Sequence, residues 1–164
     1  AIGGLWWILI GSFLFSAANA SYERLLLKQS FEGKTVRHFM NRSPVTVPYH
    51  ITLQAFVDTY LYPYHYKMFP VTRNDKIVGL ITVGILKSHL HEAWQHLEVG
   101  KAMESPNREN TIDAHTPINE ALTKMTETGV SRMLVTEQSH IVGIITLKDL
   151  LEYIALKMEL ETVP

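Results

Sequence analysis

One six-residue strand is written twice in this chain, as IVGLIT at residues 77–82 and IVGIIT at residues 141–146, with five of the six positions identical. The surrounding sequence repeats in the same order. VRHFM at 36–40 returns as VGKAM at 99–103, Thr46-Val47 as Thr111-Ile112, and FPVT at 69–72 as MLVT at 133–136. The spacing is 63 residues from Val36 to Val99, 65 from Thr46 to Thr111 and 64 from Ile77 to Ile141, so the offset drifts only slightly across the whole unit. A nearly constant offset of this length marks two copies of one supersecondary unit.

Each copy reads as strand, helix, strand, strand, helix. In the first, 45–47 is a short β-type run, and Thr52 can cap a helix carrying Leu53, Phe56, Val57, Tyr60 and Leu61 at helical spacing until Pro63 ends it. Strands over 68–72 and 77–81 flank a polar turn, and a helix follows from Val83 to about His91. In the second, Pro117 opens a helix with Ile118, Ala121, Leu122 and Met125 on one face, and a closing helix runs from Leu147 to about Leu160. A unit of roughly 50–60 residues buries too little surface to stand alone. The expected fold is therefore α+β, with repeats over 34–92 and 93–164 packed face to face about a pseudo-twofold axis and clefts between them.

Residues 1–22 are unlike the rest. They contain no charged side chain, and LWWILIGSFLF at 5–15 is strongly apolar. About 20 such residues span a bilayer core as a helix. Arg24, Lys28, Lys34, Arg37 and Arg42 follow, and a Lys/Arg excess beside a spanning segment marks its cytoplasmic side. The expectation is a hydrophobic, membrane-embedded helix continued by a connector to Gly33, with the repeats on the cytoplasmic side. A core or dimer-interface helix is the alternative, since Gly3, Gly4 and Gly11 interrupt the run.

The turn ending in Met, the short T-V strand, the helix, the strand ending P-V or L-V, and the G-h-h-T strand (h, hydrophobic) leading into a helix together resemble the CBS domain, present as a tandem pair over about 36–151. That resemblance implies a regulatory module taking AMP, ADP, ATP or S-adenosylmethionine between its halves, and self-association as a CBS dimer. It also implies a ribose-contacting pattern, G-h-h-T/S-x-x-D, which the second copy carries from Gly143 through Thr146, Leu147 and Lys148 to Asp149. A carboxylate at a helix start can accept bonds from two ribose hydroxyls, and nearby N–H groups can meet phosphate. By the same resemblance Thr111, Ile112, Asp113 and Ala114 would hold the base edge, and Arg132 or Lys148 would lie near phosphate. Plain helix capping by Thr146 and Asp149 is the competing reading. In the first copy Ile85 replaces the Asp, which leaves at most one well-formed ribose site. The apolar segment running directly into a CBS pair is also similar to the end of membrane zinc metalloproteases of the site-2 protease family. Chloride channels and magnesium transporters with CBS tails are the competing parents.

Catalysis by the chain itself is not expected. It has no cysteine, no Gly-rich phosphate loop and no H-E-x-x-H. The nearest approach, His91 to His96, is one residue too long, so five steps of about 100° would set the two rings about 140° apart on a helix. The reading there is a polar linker. Tyr60, Tyr62, Tyr64 and Tyr66 around His65 could stack a base, or serve as packing or dimer surface. A net charge of −1 without a basic cluster argues against nucleic acid.

Overall fold

In a computed structural model, residues 33–162 are described, and all but Gly33 of the apolar helix and connector expected over 1–33 lies outside them. Each hexapeptide is the outer strand of a three-stranded sheet. In the first sheet β1 (Val47–Pro48) runs parallel to β2 (Met68–Arg73), and β2 pairs antiparallel with β3 (Lys76–Thr82). In the second, β4 (Thr111–Asp113), β5 (Arg132–Glu137) and β6 (His140–Thr146) repeat that order and direction. Even the irregularity in pairing recurs, between Val71 and Thr72 and between Val135 and Thr136. Both hairpins turn through two left-handed residues, Asn74-Asp75 and Gln138-Ser139, which gives the backbone twist that two-residue hairpin loops favour.

The helices are unequal. A short turn, α1 (Val36–Phe39), precedes the first sheet. Next comes α2 over 53–64, capped by the Thr52 hydroxyl, which accepts from the Ala55 N–H at 3.1 Å. Then follow α3 (Val83–Lys87), α4 (Val99–Ala102), α5 (Ile118–Thr128) and α6 (Leu147–Glu161). Pro63 does not end α2 as expected. The preceding turn widens so that the Tyr62 N–H bonds Val57 O, five residues back, and the helix runs on to Tyr64. A widened turn relieves the clash between a proline ring and the carbonyl four residues before it. The helix expected from Val83 to about His91 stops at Lys87, where the Ser88 hydroxyl donates to Ile85 O at 2.6 Å. His91–Gln95 instead forms a tight 3-10 turn, with the His91 ring stacked on Trp94 at 4.4 Å.

The two repeats exchange their opening turns. Val36 N–H donates to Thr116 O at 2.9 Å and Arg37 N–H to Ala114 O at 2.8 Å, so α1 of the first repeat docks on the second sheet. Conversely, Val99 N–H donates to Ile51 O at 2.8 Å and Gly100 N–H to Tyr49 O at 2.9 Å. Packing follows the same exchange. Val36 is fully buried with Ile112, Ile118, Met133, Ile145 and Leu150, whereas Val99 is buried with Val47, Leu53, Phe56, Phe69 and Ile81.

The exchange gives the duplicated glycine its reason. Asn41 and Ile144 trade backbone hydrogen bonds at 2.8 and 3.0 Å, and Glu104 and Leu80 do the same at 2.9 and 3.0 Å. A Cβ on Gly79 would stand 2.6 Å from Glu104 O, and one on Gly143 would collide with Asn41 O. Only a residue without Cβ lets the other repeat's chain cross there. A third apolar cluster, Met68, Leu80 and Leu134 with Ile77, Ile85, Ile141 and Ile144 packed against it, joins the sheets where β3 meets β6.

Candidate functional site

Beside this junction lies a cleft of about 490 Å³ lined from both repeats. The second repeat supplies Thr146 and Asp149 from the start of α6, together with Lys148, Arg132 and Ile144. The first supplies Asn41, Ser43, Pro44 and Val45, then His65, Tyr66, Met68 and Pro70. The loop at 41–43 is folded by the Asn41 side chain, whose Oδ1 accepts from the Ser43 N–H at 3.0 Å. His65 ends α2 in the left-handed region, at φ 61 and ψ 20, and this reversal turns the chain from the helix into β2.

Thr146 caps α6, its hydroxyl accepting from the Asp149 N–H at 3.1 Å. The capping role expected for Thr146 is thus real. The Asp149 carboxylate is exposed at the first turn of a 15-residue helix, at the mouth of the cleft. Lys148 is exposed, with Nζ 3.8 Å from Glu152 Oε1, an arrangement weak enough in water to yield to a ligand. Arg132 is part-buried and has no ion pair among the described residues. The Asp149 carboxylate, the hydroxyls of Thr146, Ser43 and Tyr66, and the cations Arg132 and Lys148 therefore line a cleft with apolar walls of Pro44, Val45, Met68 and Ile144. Such a slot suits a flat, polar-edged ligand with vicinal hydroxyls and an anionic end.

The structure does not bring Thr111, Ile112, Asp113 and Ala114 to this cleft. Thr111, Ile112 and Asp113 line a separate depression with Arg108, Thr116 and Lys124. Their backbone is committed elsewhere: Ala114 N–H donates to Thr136 O at 2.8 Å, Ala114 O accepts from Arg37, and Thr111 O accepts from Lys124 Nζ at 2.7 Å. Ile112 and Ala114 are buried. The exchange of opening segments is the physical cause, because it sets the approach to β1, not the approach to β4, beside Thr146. Residues 41–45 were the part that sequence reasoning missed. The signal was present in the position of Thr46-Val47, equivalent to Thr111-Ile112.

The equivalent cleft of the first repeat, about 330 Å³, contains Thr82, which caps α3 by accepting from the Ile85 N–H at 3.2 Å. Ile85 packs into the core, so no carboxylate stands where Asp149 stands. Glu104 and Glu109 line that cleft instead. The tyrosine patch is mainly packing: Tyr60, Tyr64 and Tyr66 surround the buried Phe69 ring at 6.3, 6.4 and 5.6 Å, and Tyr66 alone of the four also lines the larger cleft. Among the described residues no group of three His, Asp or Glu side chains could hold a metal, and no helix is long and apolar enough to cross a membrane.

The CBS domain family matches residues 36–92 and 99–156, which fall on the two sheets and their helices. The chain belongs to this family. It is 31% identical over 150 residues, 90% of its length, to a protein of Mycobacterium tuberculosis named as a zinc metalloprotease, Rip3. It is 26% identical over 144 residues to a zinc metalloprotease of Methanocaldococcus jannaschii. It spans 38% and 39% of the length of these relatives. Among solved CBS structures, that of a bacterial CNNM/CorC family Mg2+ transporter in complex with ATP shares the fold at a TM-score of 0.66. The identity is 20%, over 81% of this chain and 97% of that one.

Proposed function

We propose that this CBS pair is a regulatory module that senses an adenine nucleotide, or the related S-adenosylmethionine, in the cleft of Thr146 and Asp149. The observation that carries the reading is the convergence, in one opening, of the motif pair Thr146/Asp149, the cations Arg132 and Lys148, and segment 41–45 of the other repeat. The carboxylate takes the ribose hydroxyls, the first turn of α6 with Arg132 and Lys148 takes phosphate, and the apolar walls take the base. A ligand held by both repeats binds one relative placement of them more tightly than another, and that difference in affinity is what drives a regulatory shift. The ATP-bound relative of the same fold supports the ligand class.

The module is the cytosolic tail of a membrane-bound zinc metalloprotease of the site-2 protease family, reached through residues 1–33. The identity to named zinc metalloproteases over nine-tenths of the chain supports this parent, and the apolar, uncharged 1–22 supports the anchor. The chain itself supplies no catalytic motif, and the protease chemistry belongs to the parent. Calorimetric titration of the chain with AMP, ADP, ATP and S-adenosylmethionine tests the ligand reading, with Asp149→Ala as the comparison. Saturable heat that disappears in the variant supports it, and silence with all four ligands refutes it.

A second reading, self-association without a small ligand, is favoured by the exposed apolar side chains of α6. Leu151, Leu156, Met158 and Leu160 are 51%, 57%, 45% and 65% exposed. Sedimentation separates the two, because a stable dimer with no thermal response to any of the four ligands belongs to this reading alone.

A further inference from the structure

At the hairpin end of the sheets lies a larger opening, about 700 Å³, that the nucleotide reading does not use. It sits across segment 42–46 from the Thr146 cleft and shares Ser43 and Pro44 with it. Equivalent residues of the two repeats face it together, Thr72 with Thr136 and Lys76 with His140, as happens where two copies meet across the line that relates them. Arg42 adds a guanidinium from the loop before β1, and Asp75 is the lone carboxylate in the lining. Neither Arg42 nor Lys76 makes an ion pair with a described residue. His140 Nδ1 lies 2.8 Å from Gln138 O, a contact that places the ring's proton on Nδ1 and fixes its orientation. The turn beneath it keeps Gln138 and Ser139 at φ 50 and 65, where glycine would be unstrained. Glycine there would remove the Ser139 hydroxyl from the lining.

We propose that this opening binds a phosphate oxyanion carrying two or more negative charges, held by Arg42 and Lys76 with hydroxyls of both repeats completing its hydrogen bonds. Cations with no ion-pair partner among the described residues, beside hydroxyls lining the same concave wall, meet the requirements of phosphate better than those of any neutral ligand. The ligand is either a free polyphosphate compound or the phosphomonoester headgroup of an acidic lipid. The inference rests on this opening alone and stands whether or not the Thr146 cleft takes a nucleotide.

The test is calorimetric titration of the full chain in detergent micelles with inorganic triphosphate, and separately with AMP. Saturable triphosphate binding is expected, weakened about tenfold or more in R42Q/K76Q, a double substitution at exposed positions. AMP affinity should stay within about twofold in that variant, since neither residue lines the Thr146 cleft. Repeating the triphosphate titration in nanodiscs of phosphatidic acid and of phosphatidylcholine identifies the source. Weaker binding in phosphatidic acid assigns the site to the headgroup, and equal affinity assigns it to a free phosphate compound. Absence of saturable binding in micelles, or binding unchanged in R42Q/K76Q, overturns the proposal. So does triphosphate binding that vanishes in Asp149→Ala, which would place it in the other cleft. If triphosphate binds while AMP, ADP, ATP and S-adenosylmethionine all fail to bind the Thr146 cleft, the nucleotide reading fails and this one remains.

Discussion

On the proposed reading Thr146 joins a capping and a ligand-binding role in one hydroxyl, so its loss conflates them, whereas Asp149 allows them to be separated. Thr146→Ala removes the cap on α6, and about 1 kcal/mol of stability is expected to go with it in denaturant titration. Asp149→Asn keeps the backbone N–H that Thr146 accepts from and removes only an exposed charge in the first turn, a loss of about 0.3–1 kcal/mol. If both residues serve only the helix, ligand affinity is absent in the parent chain and neither substitution changes the thermal response to nucleotide. The glycine shared by the two hexapeptides is a different kind of residue. Gly143→Ala forces a Cβ onto the Asn41 carbonyl, a rigid backbone neighbour, and is expected to cost about 2–3 kcal/mol by denaturant midpoint. Replacement of the exposed, left-handed Gly129, where a Cβ meets nothing within 4 Å, strains only the local backbone and should cost less. In the sequence, Thr146, Lys148, Asp149 and Arg132 were legible because they stand in or beside the motif. The first repeat's wall of the cleft was not, because Asn41, Ser43 and Pro44 carry no periodic signal of their own and reach the cleft only through the exchange of segments.

That exchange belongs to the scale of the element, and it makes an unusual prediction. Val36 precedes the first sheet in sequence yet is buried in the second core, and Val99 is buried in the first. Val36→Ala should therefore speed amide exchange in β4, β5 and β6 more than in β1, β2 and β3, and Val99→Ala should do the reverse. Each should lower global stability by about 1–3 kcal/mol. Exchange that accelerates in the sheet nearest in sequence would contradict the swapped packing. Strands and long helices were readable beforehand because their signals are local: short apolar runs bounded by polar turns in β2, β3, β5 and β6, and the apolar face of α5 at Ile118, Ala121 and Met125. The misjudged elements were those decided by tertiary packing. Pro63 reads as a stop unless the turn before it widens. The end of α3 is set by Ser88 bonding back to Ile85, and nothing in the period of the sequence marks it.

At the scale of the molecule, duplication supplies what neither copy has alone: a closing turn for each sheet, an apolar junction at Met68, Leu80 and Leu134, and a cleft with walls from both sides. The copies are unequal where function is concerned, since Asp149 faces its cleft and Ile85 is withdrawn into the core. A nearly symmetric module should therefore respond to its ligand on one side. The most direct measurement is calorimetric titration of the full chain in micelles with AMP, ADP, ATP and S-adenosylmethionine, alongside Asp149→Ala and Ile85→Ala. The expected result is one saturable site per chain for at least one ligand, lost in Asp149→Ala and retained in Ile85→Ala. Two equal sites, a site indifferent to Asp149, or no binding of any of the four would contradict it.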